Sequence, residues 1–343
     1  MPSPRVTLIF NPNAGDARQP TIGQLEALIR EAGFKFRSQS AKEEGWAKAL
    51  KRPTDIVAVA GGDGTVTKVA RRLIGRDVPI AVLPLGTANN ISKTLGIVDM
   101  PVTQLIPSWK EGRRVTFDAG CASGPWGGRY FIEGAGVGLL TSAIPKAAKS
   151  KTLEQLNETE VKVSYAQQLF REHLADQKAI QVEATLDGED ISGRYLLLEV
   201  LNIQYIGPNL YLAPDLVRND GEFDVVLVSE KHREKLRRHI KHWQAGKMLP
   251  PEFETRRGKR LEINWTGFPL HLDDKVWPEK GAKKPKRPAE ITFHVESEAV
   301  RFLVPAEVQE MQELASKNRE KGKLLAERRQ SRKKTGRARK RRG

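Results

Sequence analysis

The first hundred residues alternate short apolar runs with segments whose apolar positions recur every three or four residues. Val6–Phe10 is β-like and ends in the turn sequence Asn11-Pro12-Asn13-Ala14-Gly15. Ile22, Leu25, Ile29 and Ala32 then mark one face of a helix. Ile56–Ala60 is a second strand-like run, followed by Gly61-Gly62-Asp63-Gly64 as an exposed turn. From Thr65 a helix places Val66, Val69, Ala70 and Leu73 on a packed face. A third unit has Ile80–Leu83 as strand, Pro84–Asn90 as turn and Ile91–Leu95 as a short helix. This alternation predicts a parallel sheet covered by helices. In such sheets ligands gather at the carboxyl ends of the strands, where all three polar loops emerge.

After about Arg114 the pattern changes. Thr116–Ala119 reads as a crossover carrying Asp118, and Gly134–Gly138 as tight packing before a helix. Thr152–Lys178 leans helical with an irregular apolar face. β-like runs dominate beyond it: 180–186, 194–201, 223–228, 261–265, 291–295 and 300–304, with Asp187-Gly188 as a hairpin turn. Residues 230–244 interrupt them as a basic helix with Leu236 and Ile240 on one side. The expected organisation is an α/β domain over 1–115, a β-rich, antiparallel, sandwich-like domain over 116–305, and a tail over 306–343.

Charge sharpens that last boundary. The 343 residues carry a net +16, of which Lys317–Gly343 supplies +12 through 14 Lys and Arg against Glu320 and Glu327. Such a tail, disordered or helical, is open to three readings: a solvated extension, an anionic lipid surface, or nucleic-acid phosphates. A single cysteine, Cys121, excludes an internal disulfide and suits a reducing compartment. No run approaches the roughly 20 apolar residues of a membrane span. A cytoplasmic protein, with a peripheral place at a membrane left open, is the expectation. His239 and His242 have no partners for a zinc set and read as a solvated helix face.

The three loops carry the chemistry. Glycines between a strand end and a helix start let the backbone approach a ligand, and the helix N-terminus offers free N–H groups. That suits phosphate. An aspartate in such a loop, Asp63, would repel a bare phosphate, so a divalent cation is its complement. No GxxxxGK[ST] pattern occurs, which argues against a P-loop enzyme.

Asn11–Gly15, Gly61-Gly62-Asp63-Gly64-Thr65 and Pro84-Leu85-Gly86-Thr87-Ala88-Asn89 together resemble the diacylglycerol-kinase catalytic-domain family, which includes bacterial lipid kinases and sphingosine and ceramide kinases. Asp118, Pro214, Asn219-Asp220-Gly221 and Leu272-Asp273 extend the similarity from Val6 to about Pro305. The resemblance implies ATP-dependent phosphorylation of a lipid hydroxyl in a cleft between the two domains. It assigns the nucleotide to Asn11, Pro12, Asn13, Ala14, Gly15, Ser40, Gly61, Gly62, Asp63, Gly64, Thr65, Thr87 and Asn89. It places Mg²⁺ at Asp63, and a second, structural Mg²⁺ at the Asp220 side chain with the carbonyls of Val217 and Glu222.

The sequence departs from the family at three places. Asp16 stands where several relatives carry lysine, and Asn90 where an aspartate is usual. The family's Asp-Gly-Glu reads Asp273-Asp274-Lys275, so its proton-accepting glutamate falls on a lysine. A lysine near its ordinary pKa of about 10.4 is protonated at neutral pH and is no base. Asp273 or Asp274 are the candidate replacements, Asp273 having the better positional match. A lipid kinase with a diacylglycerol-like acceptor is therefore expected. Two alternatives stand beside it: a kinase of a soluble acceptor such as NAD, and a non-catalytic nucleotide- or lipid-binding protein.

Overall fold

In the computed structural model, which describes residues 3–15, 18–247, 249–279 and 287–311, the first three units form as the periodicity predicts. They comprise β1 (Arg5–Phe10), α1 (Ile22–Glu31), β2 (Lys35–Ser40), β3 (Ile56–Gly61), α2 (Asp63–Leu73), β4 (Ile80–Pro84) and α3 (Asn90–Leu95), followed by α4 (Val102–Ser108). Strands β4, β3, β1 and β2 lie side by side in that order, all parallel. Every residue of β3 is buried, as expected of a parallel strand covered on both faces. Helix α2 starts at Asp63, two residues earlier than the turn sequence suggests, with Gly62 as its N-cap.

The chain then runs through β5 (Arg113–Gly124), β6 (Gly127–Phe131), β7 (Gly134–Gly138), α5 (Leu139–Ala147), α6 (Lys151–Gln155) and α7 (Thr159–Asp176). Next come β8 (Ile180–Leu186), β9 (Glu189–Asp190), β10 (Gly193–Leu201), β11 (Tyr205–Ile206), β12 (Leu210–Tyr211), β13 (Phe223–Ser229) and α8 (Arg233–Gln244). Strands β14 (Glu254–Gly258), β15 (Arg260–Trp265), β16 (Leu270–Leu272), β17 (Lys275–Trp277) and β18 (Ala289–Val304) complete it. This half is antiparallel and β-rich. Strands β10 and β13 are buried on both faces. Leu198, Val200, Val225 and Leu227 meet Phe131 and Phe293 inside the strands, while Leu197, Leu201, Val226 and Val228 meet Phe170, Leu236 and Trp243 of the helices. That double burial is why 196–201 reads as an apolar run and does not alternate.

Two expectations about strands need correction. Thr116–Ala119 is the middle of β5 and not a crossover. The runs 291–295 and 300–304 are one strand, β18, whose register shifts between Glu296 and Val300. Its polar Glu296-Ser297-Glu298 segment imitates a turn in sequence, yet the Glu298 N–H stays tied to Asp118 of β5 at 2.7 Å. Both long strands contribute to both cores. Val300, Phe302 and Val304 pack with the first half and Phe293 with the second, and β18 also pairs with β4 in parallel.

Candidate active site

The three loops line one cavity of about 630 Å³ at the carboxyl edge of the parallel sheet. Asn11, Asn13, Ala14 and Gly15 form one wall, Gly62–Thr65 another, and Leu85–Ala88 the third. The loops touch through their glycines. A Cβ on Gly62 would stand 2.9 Å from the Gly86 Cα, and one on Gly86 would overlap the Gly62 Cα. Only paired glycines permit that approach. Asn89, at φ 52°, staples the third loop: its Oδ1 accepts the Gly86 N–H and its Nδ2 donates to the Gly86 and Pro84 carbonyls.

Not every expected nucleotide residue faces this cavity. Pro12 borders a smaller neighbouring one, and buried Ser40 accepts the Lys42 N–H while Ala41 and Lys42 form the wall. Apart from Lys275, the sequence reading missed the cations there. Lys68 and Arg71 lie with Gly64 on one face of α2 and line the cavity, as do Lys162 and Lys275. Lys68 donates to the Ala41 carbonyl at 2.6 Å and covers the Trp46 ring. Burial, with Lys42, Arg72 and Lys275 nearby, lowers its pKa. Asp16 lies outside the described residues.

Asp63 does not sit in an exposed turn. Its carboxylate accepts the N–H groups of Asn90 and Ile91, both at 3.0 Å, and so closes the N-terminus of α3. Burial raises its pKa despite those hydrogen bonds. Glu133, which the sequence reading passed over, lies beside it. Its carboxyl is buried and is pushed well above the usual range, first by burial and then by the charges of Asp63 and Asp273. Asn90 joins the two: its Nδ2 donates to Glu133 and to the Gly207 carbonyl, while its buried Oδ1 has no hydrogen-bond partner among the described residues. Two carboxyls and an unpartnered amide oxygen are oxygen donors of the kind magnesium takes.

Asp273 and Asp274 form the turn between β16 and β17 and have opposite fates. The Asp273 side chain is wholly buried. It accepts the N–H groups of Ile132, Glu133 and Gly134 at 2.7–3.2 Å and is paired with Arg71 of α2. This carboxylate ties the first half of the fold to the second, with no oxygen left facing the cleft. Asp274 is half exposed, lines the cavity, and reaches within 3.8 Å of the space beside Gly64.

A second cavity, about 700 Å³, adjoins the first at Thr87, Ala88 and Lys162. Its lining is mostly apolar: Leu140 and Ile144 of α5, Leu153 of α6, and Val163, Leu169 and Phe170 of α7. The irregular apolar face of α7 is explained by this surface, which borders open space. His173 lies at its edge. Lys146, an obligate donor 2.6 Å from Nδ1, fixes the neutral tautomer with Nε2 donating to Ser142, and burial lowers the pKa.

The Asn219-Asp220-Gly221 loop is closed by protein groups. Asp118 accepts the Gly221 N–H, Asp220 accepts the Glu222 N–H, and Arg257 pairs with both Asp220 and Glu222. That guanidinium meets two of the three groups, Asp220 and Glu222 but not Val217, to which the resemblance assigns a metal.

The comparisons agree with the fold. Residues 5–122 match the model of the diacylglycerol kinase catalytic domain, and residues 142–304 that of the YegS C-terminal NAD kinase beta sandwich-like domain. A diacylglycerol kinase of Bacillus subtilis is 28% identical over 66% of this chain and 74% of its own length. One from Staphylococcus saprophyticus is 24% identical over 85% of this chain and 94% of its own. The crystal structure of a diacylglycerol kinase from Bacillus anthracis superposes with a TM-score of 0.64 at 21% identity, covering 89% of this chain and 98% of that one. Among the described residues no helix is long and apolar enough to cross a membrane. With one model matched by each half of the fold and the glycine loops meeting at one cavity, residues 5–122 form a diacylglycerol kinase catalytic domain and residues 142–304 a YegS C-terminal beta sandwich-like domain.

Proposed function

We propose that this chain transfers the γ-phosphoryl group of ATP to the hydroxyl of a diacylglycerol-like lipid. The observation that carries the reading is the junction at Thr87, Ala88 and Lys162, where a glycine-lined polar cavity meets an apolar one. Phosphoryl transfer asks the protein mainly for in-line positioning and charge neutralisation. Loop N–H groups, Lys68 and Arg71 hold the phosphates on one side of the junction. On the other, Leu140, Ile144 and Phe170 take an acyl chain and leave its hydroxyl end at the polar boundary. Asp63, Asn90 Oδ1 and Glu133 would hold Mg²⁺, which when bound neutralises charge on the phosphates.

Asp274 accepts the hydroxyl proton. Asp273 is saturated by its donors, and Lys275, paired with Asp274 at 3.6 Å, adds positive charge at the same rim. An anionic membrane is the setting we propose, with exposed Lys146 and Lys149 flanking the apolar cavity; the basic tail Lys317–Gly343 lies outside the described residues.

The test is transfer of label from γ-labelled ATP to diacylglycerol in mixed micelles, with NAD as the competing acceptor. Labelled lipid is expected, and Asp274→Asn should lower kcat about 100-fold, the scale of a lost general base. Label appearing in NAD alone would redirect the reading to a soluble acceptor. ATP binding without transfer would make the chain a nucleotide- and lipid-binding protein.

A further inference from the structure

Of the glycines of β7, the middle one has a specific occupant above it. Glu199 on β10 and His271 on β16 both stand in register with Gly136, one on each side. With no side chain at Gly136, the two reach across the strand, and His271 Nε2 lies 2.8 Å from Glu199 Oε2. Both residues are buried, at 1% and 0% exposure. A Cβ on Gly136 would overlap the Glu199 carboxylate and the Leu198 carbonyl.

The other imidazole nitrogen, Nδ1, lies 3.0 Å from the Asp273 carbonyl oxygen. A carbonyl only accepts, so Nδ1 carries a proton and donates it. Burial by itself pushes the imidazole pKa down, but Glu199 and the Asp273 carbonyl outweigh it and leave it raised. A buried pair of this kind is a poor stabiliser, the more so because Glu199 Oε1 has no hydrogen-bond partner. Its position relative to the active-site turn is more informative. Asp273 has a left-handed backbone, φ 49°, which costs a non-glycine residue on the order of 1 kcal/mol or more. Its N–H is held by the Gly134 carbonyl at 2.8 Å and its carboxylate by Arg71 and three amides. The group left to His271 is the carbonyl of the peptide plane that leads into Asp274.

We propose that Glu199 and His271 are positioning residues for phosphoryl transfer: seated over Gly136, they fix the Asp273–Asp274 peptide and so the direction in which the Asp274 carboxylate enters the cleft. This rests on Asp274 being the proton acceptor. An asparagine amide at 271 coincides with Nδ1 and still donates to the carbonyl; a glutamine amide coincides with Nε2 and does not.

The experiment is a set of cycles in the full chain, with ATP and diacylglycerol micelles. His271→Gln should lower kcat about 10-fold or more while leaving KM for ATP within about twofold, as expected of a misplaced catalytic group. His271→Asn should restore most of that loss, and His271→Gln should cost nothing further in an Asp274→Asn background. Glu199→Ala, which frees the imidazole to turn, is the second route to the same cycle if His271→Gln does not fold. Losses that multiply with Asp274→Asn, or equal losses in the asparagine and glutamine variants, overturn the brace. Such results in an active wild type leave the lipid-kinase reading standing; a wild type that transfers no phosphate overturns both.

Discussion

The two cavities that meet at Thr87 and Ala88 are built by different means. The polar one is made of backbone: strand ends, glycines that let loops touch, and a helix start. The apolar one is made of side chains from α5, α6 and α7, helices that belong to no motif. Backbone sites constrain residue type at single positions, because only glycine fits where Gly62 meets Gly86. A cavity lined by Leu, Ile, Val and Phe constrains only volume and polarity, which many sequences satisfy. Chemistry is therefore specified tightly in this fold and acceptor shape loosely.

The contrast makes predictions of decreasing size for the transfer reaction. Asp63→Asn should reduce phosphate transfer about 100-fold, as loss of a charged active-site group does. It should also stabilise the chain at neutral pH, because burial raises the Asp63 pKa even with both α3 N–H groups as donors and an amide carries no charge to bury. Thermal melting beside the kinase assay reads both, and a lower melting temperature would mean that the α3 hydrogen bonds outweigh the cost of burial. Ala166→Trp on α7 should raise KM for the lipid about 10-fold by filling the apolar cavity, with KM for ATP unchanged. A matching rise for ATP would mean that the cavities do not act separately.

A last effect, on stability alone, lies away from both. Burial pushes the Asp224 carboxyl up to about 6 from 3.8, against the pull of Arg257. The folded chain then binds that proton more tightly than the unfolded one, so the stability it contributes is complete below pH 3.8 and is lost as pH rises through about 6. Asp224→Asn should be the more stable protein at pH 7.5, by up to about 3 kcal/mol, with the gap closing near pH 4. Urea melts at the two pH values check it; a gap independent of pH would refute it.

Much of this was legible in the sequence. The strand–loop–helix units are set by local periodicity, and the edge that carries the polar cavity by where the glycine loops leave the strands. The aim of Asp63 was not legible, because it depends on where α3 arrives. Nor was the division between Asp273 and Asp274: adjacent residues of a tight turn point opposite ways, and which one meets Arg71 and three amides is a tertiary outcome. Glu133 and Glu199 did leave a signal. Each is a lone carboxylate inside a run that must be buried, Ile132–Val137 and Leu196–Leu201. Burying a charge without purpose is costly, so such positions merit chemical suspicion.

The strand that closes the fold also sets its birth order. Synthesis runs from the N-terminus, yet β4 gains its neighbour β18 only when Phe302 and Leu303 have been made. Until then the catalytic half carries an open strand edge, and its core lacks Val300, Phe302 and Val304. The glycine loops, read first by the ribosome, are thus among the last parts of the molecule to stand on finished ground. A chain interrupted before β18 is left with a template for pairing with its neighbours in place of a kinase domain.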